Sequence, residues 1–130
     1  MQLRDVRNVL AGVPGLAVTE HGPIYVGVPL GARRHRVRVT SAEDWLRVEG
    51  RVANMDDLDA TPKVRDLAAR LLRANHLGEL SGLARDEDGW LVARCDVPPD
   101  ADGEELVDAI RRVAQVADRW ELLWTGGDGE

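Results

Sequence analysis

One cysteine, three histidines, two acidic clusters and a run of arginines are the side chains most able to do chemistry. Their spacing keeps most of them apart. Cys95 would need a depressed pKa and a neighbouring base to act as a nucleophile. Its own strand argues otherwise: Leu91, Ala93, Cys95 and Val97 alternate on one apolar face, which predicts a thiol in the core. His21, His35 and His76 stand singly, whereas zinc sites show paired ligands at short spacing. The sequence contains no G-x-S-x-G elbow, no Walker A loop, no H-E-x-x-H helix and no glycine fingerprint opening a helix after a strand. Asp100, Asp102 and Gly103 mimic part of a calcium loop, but its first and twelfth positions would be Pro98 and Ala109, which offer no side-chain oxygen. Asp56, Asp57 and Asp59, and likewise Asp100, Asp102, Glu104 and Glu105, stand at predicted helix starts. Each carboxylate is favoured there by roughly 0.3–1 kcal/mol through the helix dipole. No catalytic residue, metal ligand or cofactor is predicted.

The arginines form the sharpest feature. Arg34, Arg36 and Arg38 project from one face of a strand if Val37 and Val39 face the core. On the next strand Arg47 and Arg51 share that face, with Trp45 at one end and Glu49 among them. Three uses are open. The face can be simply solvated, with acidic neighbours neutralising part of it. It can dock an acidic peptide or a partner subunit, for which arginine forks and one aromatic are suited. It can also hold nucleic acid, with arginines on phosphates and Trp45 as a stacking platform. Trp120 and Trp124, four apart on the last predicted helix, suit core packing or an apolar patch for a second subunit.

The elements that must carry these residues follow from hydrophobic period. Leu3, Val6, Val9, Leu10 and Val13 recur at helical spacing, and Pro14-Gly15 ends that helix. Ile24, Val26 and Val28 alternate until Pro29 and Gly31. His35, Val37 and Val39 alternate with arginines, and Leu46, Val48 and Val52 oppose Trp45, Arg47, Glu49 and Arg51. The three strands read as an antiparallel meander. An acidic loop then leads to a helix with Thr61 as N-cap, Pro62 at its first position and Gly78 as its stop. Leu80 to Ala84 and Trp90 to Val97 read as a hairpin across Asp88-Gly89. Asp102 with Glu105 is placed as a capping box for a last helix lined by Leu106, Ile110, Val113, Ala117 and Trp120. The expected class is α+β, with about five strands in a mostly antiparallel sheet and the order α-β-β-β-α-β-β-α. Residues 1–125 form one expected domain and 126–130 a disordered tail.

Length and composition agree with that outline. The 130 residues suit one domain, with 44% hydrophobic and 31% charged residues balancing core and surface. A single cysteine cannot form an internal disulfide, and no stretch nears the roughly 20 apolar residues of a membrane span. The first residues lack the apolar core of a secretory signal, so a cytoplasmic protein is expected. The formal net charge of −6 argues against binding nucleic acid through the whole surface.

The element order and two segments, LLRANHLGELSGLARDEDGWLVARCDVP and DGEELVDAIRRVAQVADRW, resemble the YbjN-like proteins. These share a fold with the small acidic chaperones of type III secretion. The resemblance spans about Leu16 to Trp124 and rests on a leucine-rich helix end, the Asp-Gly hairpin and a closing helix that reaches Ala-Asp. It implies one sheet packed with helices, frequent dimerisation and no catalytic residues. The chaperone relatives bind one client polypeptide along their surface, whereas the YbjN-like branch has no settled activity. The short first helix departs from the secretion chaperones and puts a secretion client in doubt. The leading expectation is a protein-binding module of the chaperone or adaptor type, with a protein client or partner subunit and a possible homodimer. The alternative is a nucleic-acid-binding regulator that uses the arginine face.

Overall fold

Apolar residues at every second position from Ile24 onward build strands, and apolar stripes at helical spacing build the layer that covers them. A computed structural model describes residues 1–54 and 82–125. Its elements are helix α1 (Leu3–Ala11), strands β1 (Ala17–Val18), β2 (Ile24–Leu30), β3 (Arg33–Ala42), β4 (Trp45–Asn54), β5 (Gly82–Arg85) and β6 (Trp90–Val97), and helix α2 (Gly103–Thr125). The six strands form one sheet in the order β1-β2-β3-β4-β6-β5, with every neighbouring pair antiparallel. The fold is α+β, as expected. The predicted helix from Thr61 to Gly78, its acidic loop and the tail from Gly126 lie outside the described residues.

One face of the sheet makes the core. Ile24, Val26 and Val28 of β2, Val37 and Val39 of β3, Leu46 and Val48 of β4, and Leu91, Ala93 and Val97 of β6 are all buried. Against them α2 lays Leu106, Ile110, Val113 and Ala117 of the predicted stripe, whose last member, Trp120, is only partly buried, while α1 adds Val6 and Leu10. Arg7 of α1 donates from Nε to the Thr19 carbonyl at 2.9 Å, tying that helix to the segment before β2.

Three local features differ from expectation, each for a physical reason. Strand β1 adds a sixth strand; its two residues pair with Val26 and Gly27 and are too few to show a period. Strand β2 ends at Leu30, just before Gly31, so of the two residues expected to close it Pro29 stands within the strand. Because β1 pairs only with Val26 and Gly27, the side of Pro29 away from β3 has no strand to supply, and its missing N–H costs no ladder bond there. Strand β4 carries a bulge between Arg51 and Ala53, which oppose Val92 and Leu91 of β6. The extra residue, Val52, turns into the core.

The start of α2 follows the capping pattern. The Asp102 carboxylate accepts the Glu105 backbone N–H at 2.9 Å, and the Asp102 carbonyl accepts that of Leu106 at 3.2 Å. Asp102→Ala removes the cap and is expected to cost about 1 kcal/mol, read as a lower urea midpoint at unchanged slope. An unchanged midpoint would mean that tertiary packing alone sets this helix start. The β5–β6 hairpin turns where Asp88-Gly89 signalled it. Gly89 has φ of 83°, and the Asp86 carboxylate accepts the N–H groups of Asp88 and Trp90, both at 2.9 Å.

Candidate functional site

The strand period sends Arg34, Arg36 and Arg38 to the face opposite α2, and register then decides what stands beside them. Tyr25, Gly27 and Pro29 of β2 oppose Arg38, Arg36 and Arg34. On the other side Glu49 opposes Arg38, and Arg47 opposes Thr40. Strand β6 completes the face, with Asp96 opposite Arg47, Arg94 opposite Glu49 and Val92 opposite Arg51. The result is a shallow, open trough of about 500 Å³ lined by Arg34, Arg36, Arg38, Arg47, Arg51 and Arg94 together with acidic side chains. Val92 is buried beneath these charges and lies outside the main core cluster.

Five of the six residues predicted for partner binding therefore share one surface. Trp45 does not join them. It is 45% exposed at the β3–β4 turn and lines a separate groove with Met1, Leu3 and Pro99. The aromatic that lines the trough is Tyr25, and Trp90 stands beside it under Arg51; sequence reasoning passed over both, and arginines already cover them. The Arg36 guanidinium lies 4.4 Å from the Tyr25 ring centroid, and that of Arg51 lies 4.6 Å from the Trp90 centroid. Arg94 was also missed. Its alternation with Ala93 and Cys95 marks it as outward-facing, but only the β4–β6 pairing brings it to Glu49.

Charge within the trough is partly internal. Arg94 donates from Nε and a terminal nitrogen to the same Glu49 oxygen, at 3.1 and 2.7 Å. Arg47 donates to Asp96 at 3.0 Å, and this hydrogen bond holds its guanidinium pKa above the ordinary value against the opposing effect of desolvation. Arg51 reaches Asp86 at 3.9 Å and Asp88 at 3.5 Å. The Arg94–Glu49 pair is partly buried, whereas the exposed Arg47–Asp96 and Arg51–Asp88 pairs contribute little to stability, roughly 0–1 kcal/mol each. Their larger effect is to fix where each guanidinium sits.

A second polar group lies between β3 and the end of α2, and no local pattern announced it. Arg33 pairs with Asp118. Buried His35 has Nε2 3.2 Å from the Arg51 carbonyl and Nδ1 3.9 Å from Asp118 and 3.8 Å from Glu121. A carbonyl can only accept, so Nε2 carries the proton. Among the described residues no cluster of three or more His, Cys, Asp or Glu side chains is arranged to hold a metal ion.

Cys95 corrects an expectation. It stands on the core face opposite Val48, yet it is only partly buried where it packs against the core. Desolvation pushes its thiol pKa up, an effect that the nearby Arg112 charge reduces and Asp96 reinforces. A raised thiol pKa means that the folded chain holds its proton longer than the unfolded chain does. Stability from this group is full below the unfolded value of about 8.5 and is lost as pH rises through the folded value. Cys95→Ser is expected to flatten the decline in stability above about pH 8.5. Wild-type labelling by a thiol reagent should be slower at pH 8 than that of the urea-unfolded chain. Equal rates would show a thiolate as accessible as a free one.

No family model matches this sequence, and a search of the curated proteins finds no match either. Solved structures do match. A chain from the ExsC–ExsE complex aligns over 100% of this chain and 100% of its own, with TM-score 0.62 and 20% identity. A chain from the HopA1–SchA chaperone–effector complex aligns over 92% of this chain and 89% of its own, with TM-score 0.56 and 20% identity. At such identity the likeness is one of fold. The chain has the type III secretion chaperone-like fold that its element order implied.

Proposed function

We propose that this chain is a non-enzymatic, cytoplasmic protein-binding module of the chaperone or adaptor type, which takes a segment of a partner protein on the outer face of its sheet. The carrying observation is the trough: guanidinium groups held in register on one open sheet face of a chain whose net charge is −6. An acidic protein gains nothing in solubility from gathering its arginines there, but it gains a surface that attracts anionic segments. The neighbour from the HopA1–SchA chaperone–effector complex gives the reading a precedent on the same fold. The YbjN-like resemblance of the closing segments and a homodimeric assembly belong to the same proposal.

Affinity capture from native extract, with and without nuclease, tests it. One polypeptide recovered in near-stoichiometric amount after nuclease supports the reading. Recovery of nucleic acid, or of partners that vanish with nuclease, replaces it with a nucleic-acid-binding regulator. Failure to retain any polypeptide sinks it.

A further inference from the structure

The trough's arginines divide into two groups. Those of β4 and β6 are answered from within: Arg47 by Asp96, Arg94 by Glu49, and Arg51 by Asp86, Asp88 and the Trp90 ring. Those of β3 meet no carboxylate among the described residues, although Arg36 lies over the Tyr25 ring. Arg38 lies opposite Glu49 in the ladder, yet that carboxylate binds Arg94 on the other side. Arg36 and Arg34 lie opposite Gly27 and Pro29, which carry no charge. Glu121 also lines the trough, and its carboxylate faces His35 at 3.8 Å. Among the described residues no carboxylate stands within ion-pair distance of Arg34, Arg36 or Arg38, and all three are exposed.

Arg36 and Arg34 nonetheless rest against β2. Arg36 rests over the Tyr25 ring at 4.4 Å. Arg34 crosses β2 where Gly27 leaves room: a Cβ at position 27 would stand 3.0 Å from Arg34 Cδ. Two of the three guanidiniums are therefore held against β2 before any partner arrives, which lowers the ordering cost of binding.

We propose that β3 reads an extended acidic segment of a partner protein, one with carboxylates at every second residue. The proposal rests on the protein-binding reading above and specifies the partner's chemistry. Alternate residues of an extended chain are about 6.4–6.8 Å apart, whether they belong to β3 or to its ligand. Carboxylates at positions i, i+2 and i+4 thus meet Arg34, Arg36 and Arg38 without bending either backbone. Arg47, Arg51 and Arg94 shape the trough but supply no free charge, and Trp45 takes no part.

The test uses the full chain and two labelled eight-residue peptides of glutamate and threonine, read by fluorescence anisotropy at low salt. In one, Glu and Thr alternate. In the other, glutamate pairs alternate with threonine pairs, so that no two glutamates lie two residues apart at the same total charge. The alternating peptide is expected to bind about tenfold tighter. Replacing Arg34, Arg36 and Arg38 with Gln should weaken it about 10- to 100-fold, whereas Arg47→Gln with Arg51→Gln should change it less than about threefold. Gly27→Val removes no charge but displaces Arg34, and should weaken binding several-fold. Circular dichroism melts confirm that each variant is folded, and Arg36→Gln alone serves if the triple variant is not. Equal binding of the two peptides, full affinity after the triple substitution, or tighter binding of an eight-nucleotide oligothymidylate overturns the assignment. The two readings fail separately. A triple variant that still captures a polypeptide from extract removes only the β3 assignment, whereas a wild-type chain that captures none removes the protein-binding reading.

Discussion

Gly50→Val is expected to melt far below the wild-type chain, with a loss of about 3 kcal/mol or more out of the 5–15 kcal/mol typical of a domain. Gly50 sits in the middle of β4, beneath Val113 and Ala117 of α2. A Cβ placed there would stand 3.0 Å from the Ala117 Cβ, 3.2 Å from Val113 Cγ1 and 3.5 Å from Val37 Cγ1. The first two distances are shorter than ordinary carbon contacts, and Ala117 offers no rotamer to move aside. The helix must therefore lift from β4, which loosens the apolar contacts along its length. Gly50→Ala should cost less, about 1–2 kcal/mol. Combined with Val113→Ala it should cost less than the sum of the two singles, because the second change makes room for the first. Urea titration of the four chains measures this coupling. A neutral Gly50→Ala would mean that α2 rides higher above the sheet than its contacts indicate.

Ile110→Ala acts on the same interface in the opposite direction, by leaving space instead of filling it. Ile110 is fully buried, between Leu106 and Val113 on the stripe that α2 lays over the sheet. Deleting its outer carbons removes their transfer free energy and leaves a cavity, because β-sheet backbone cannot close in. The expected loss is about 2–5 kcal/mol. For a chain of this length each kilocalorie lowers the melting temperature by about 3–5 °C, so the shift is large enough to read by calorimetry. A loss below about 1 kcal/mol would show that the layer collapses around the gap. In neither variant should the trough peptide lose affinity at temperatures where the chain is folded, since Ile110 and Gly50 face away from β3's arginines.

Most of the fold was legible because it depends on local period. The arginine–valine alternation of β3 identifies both a strand and its two faces, and the Leu106, Ile110, Val113 and Ala117 spacing identifies α2. Asp102 and Asp88-Gly89 marked the helix start and hairpin because capping and left-handed φ are properties of a few adjacent residues. Strand β1 escaped because two residues carry no period. Cys95 was assigned to the right face and the wrong depth. A strand's alternation says which side a residue faces, but how far the covering helix reaches is set by packing.

The site divides in the same way. From sequence alone it followed that Arg34, Arg36, Arg38, Arg47 and Arg51 share a face, because side-chain direction on a strand alternates whatever the partner strand is. Which of them keep their charge free was decided by tertiary structure. Arg47 meets Asp96 across 49 positions and Arg94 meets Glu49 across 45. His35 likewise finds Asp118 only because α2 crosses β3. These pairings come from strand order and register, which depend on the burial of the opposite face by residues far apart in the chain. Local sequence determines where a side chain points, and the cooperative packing of the whole sheet determines what it meets there.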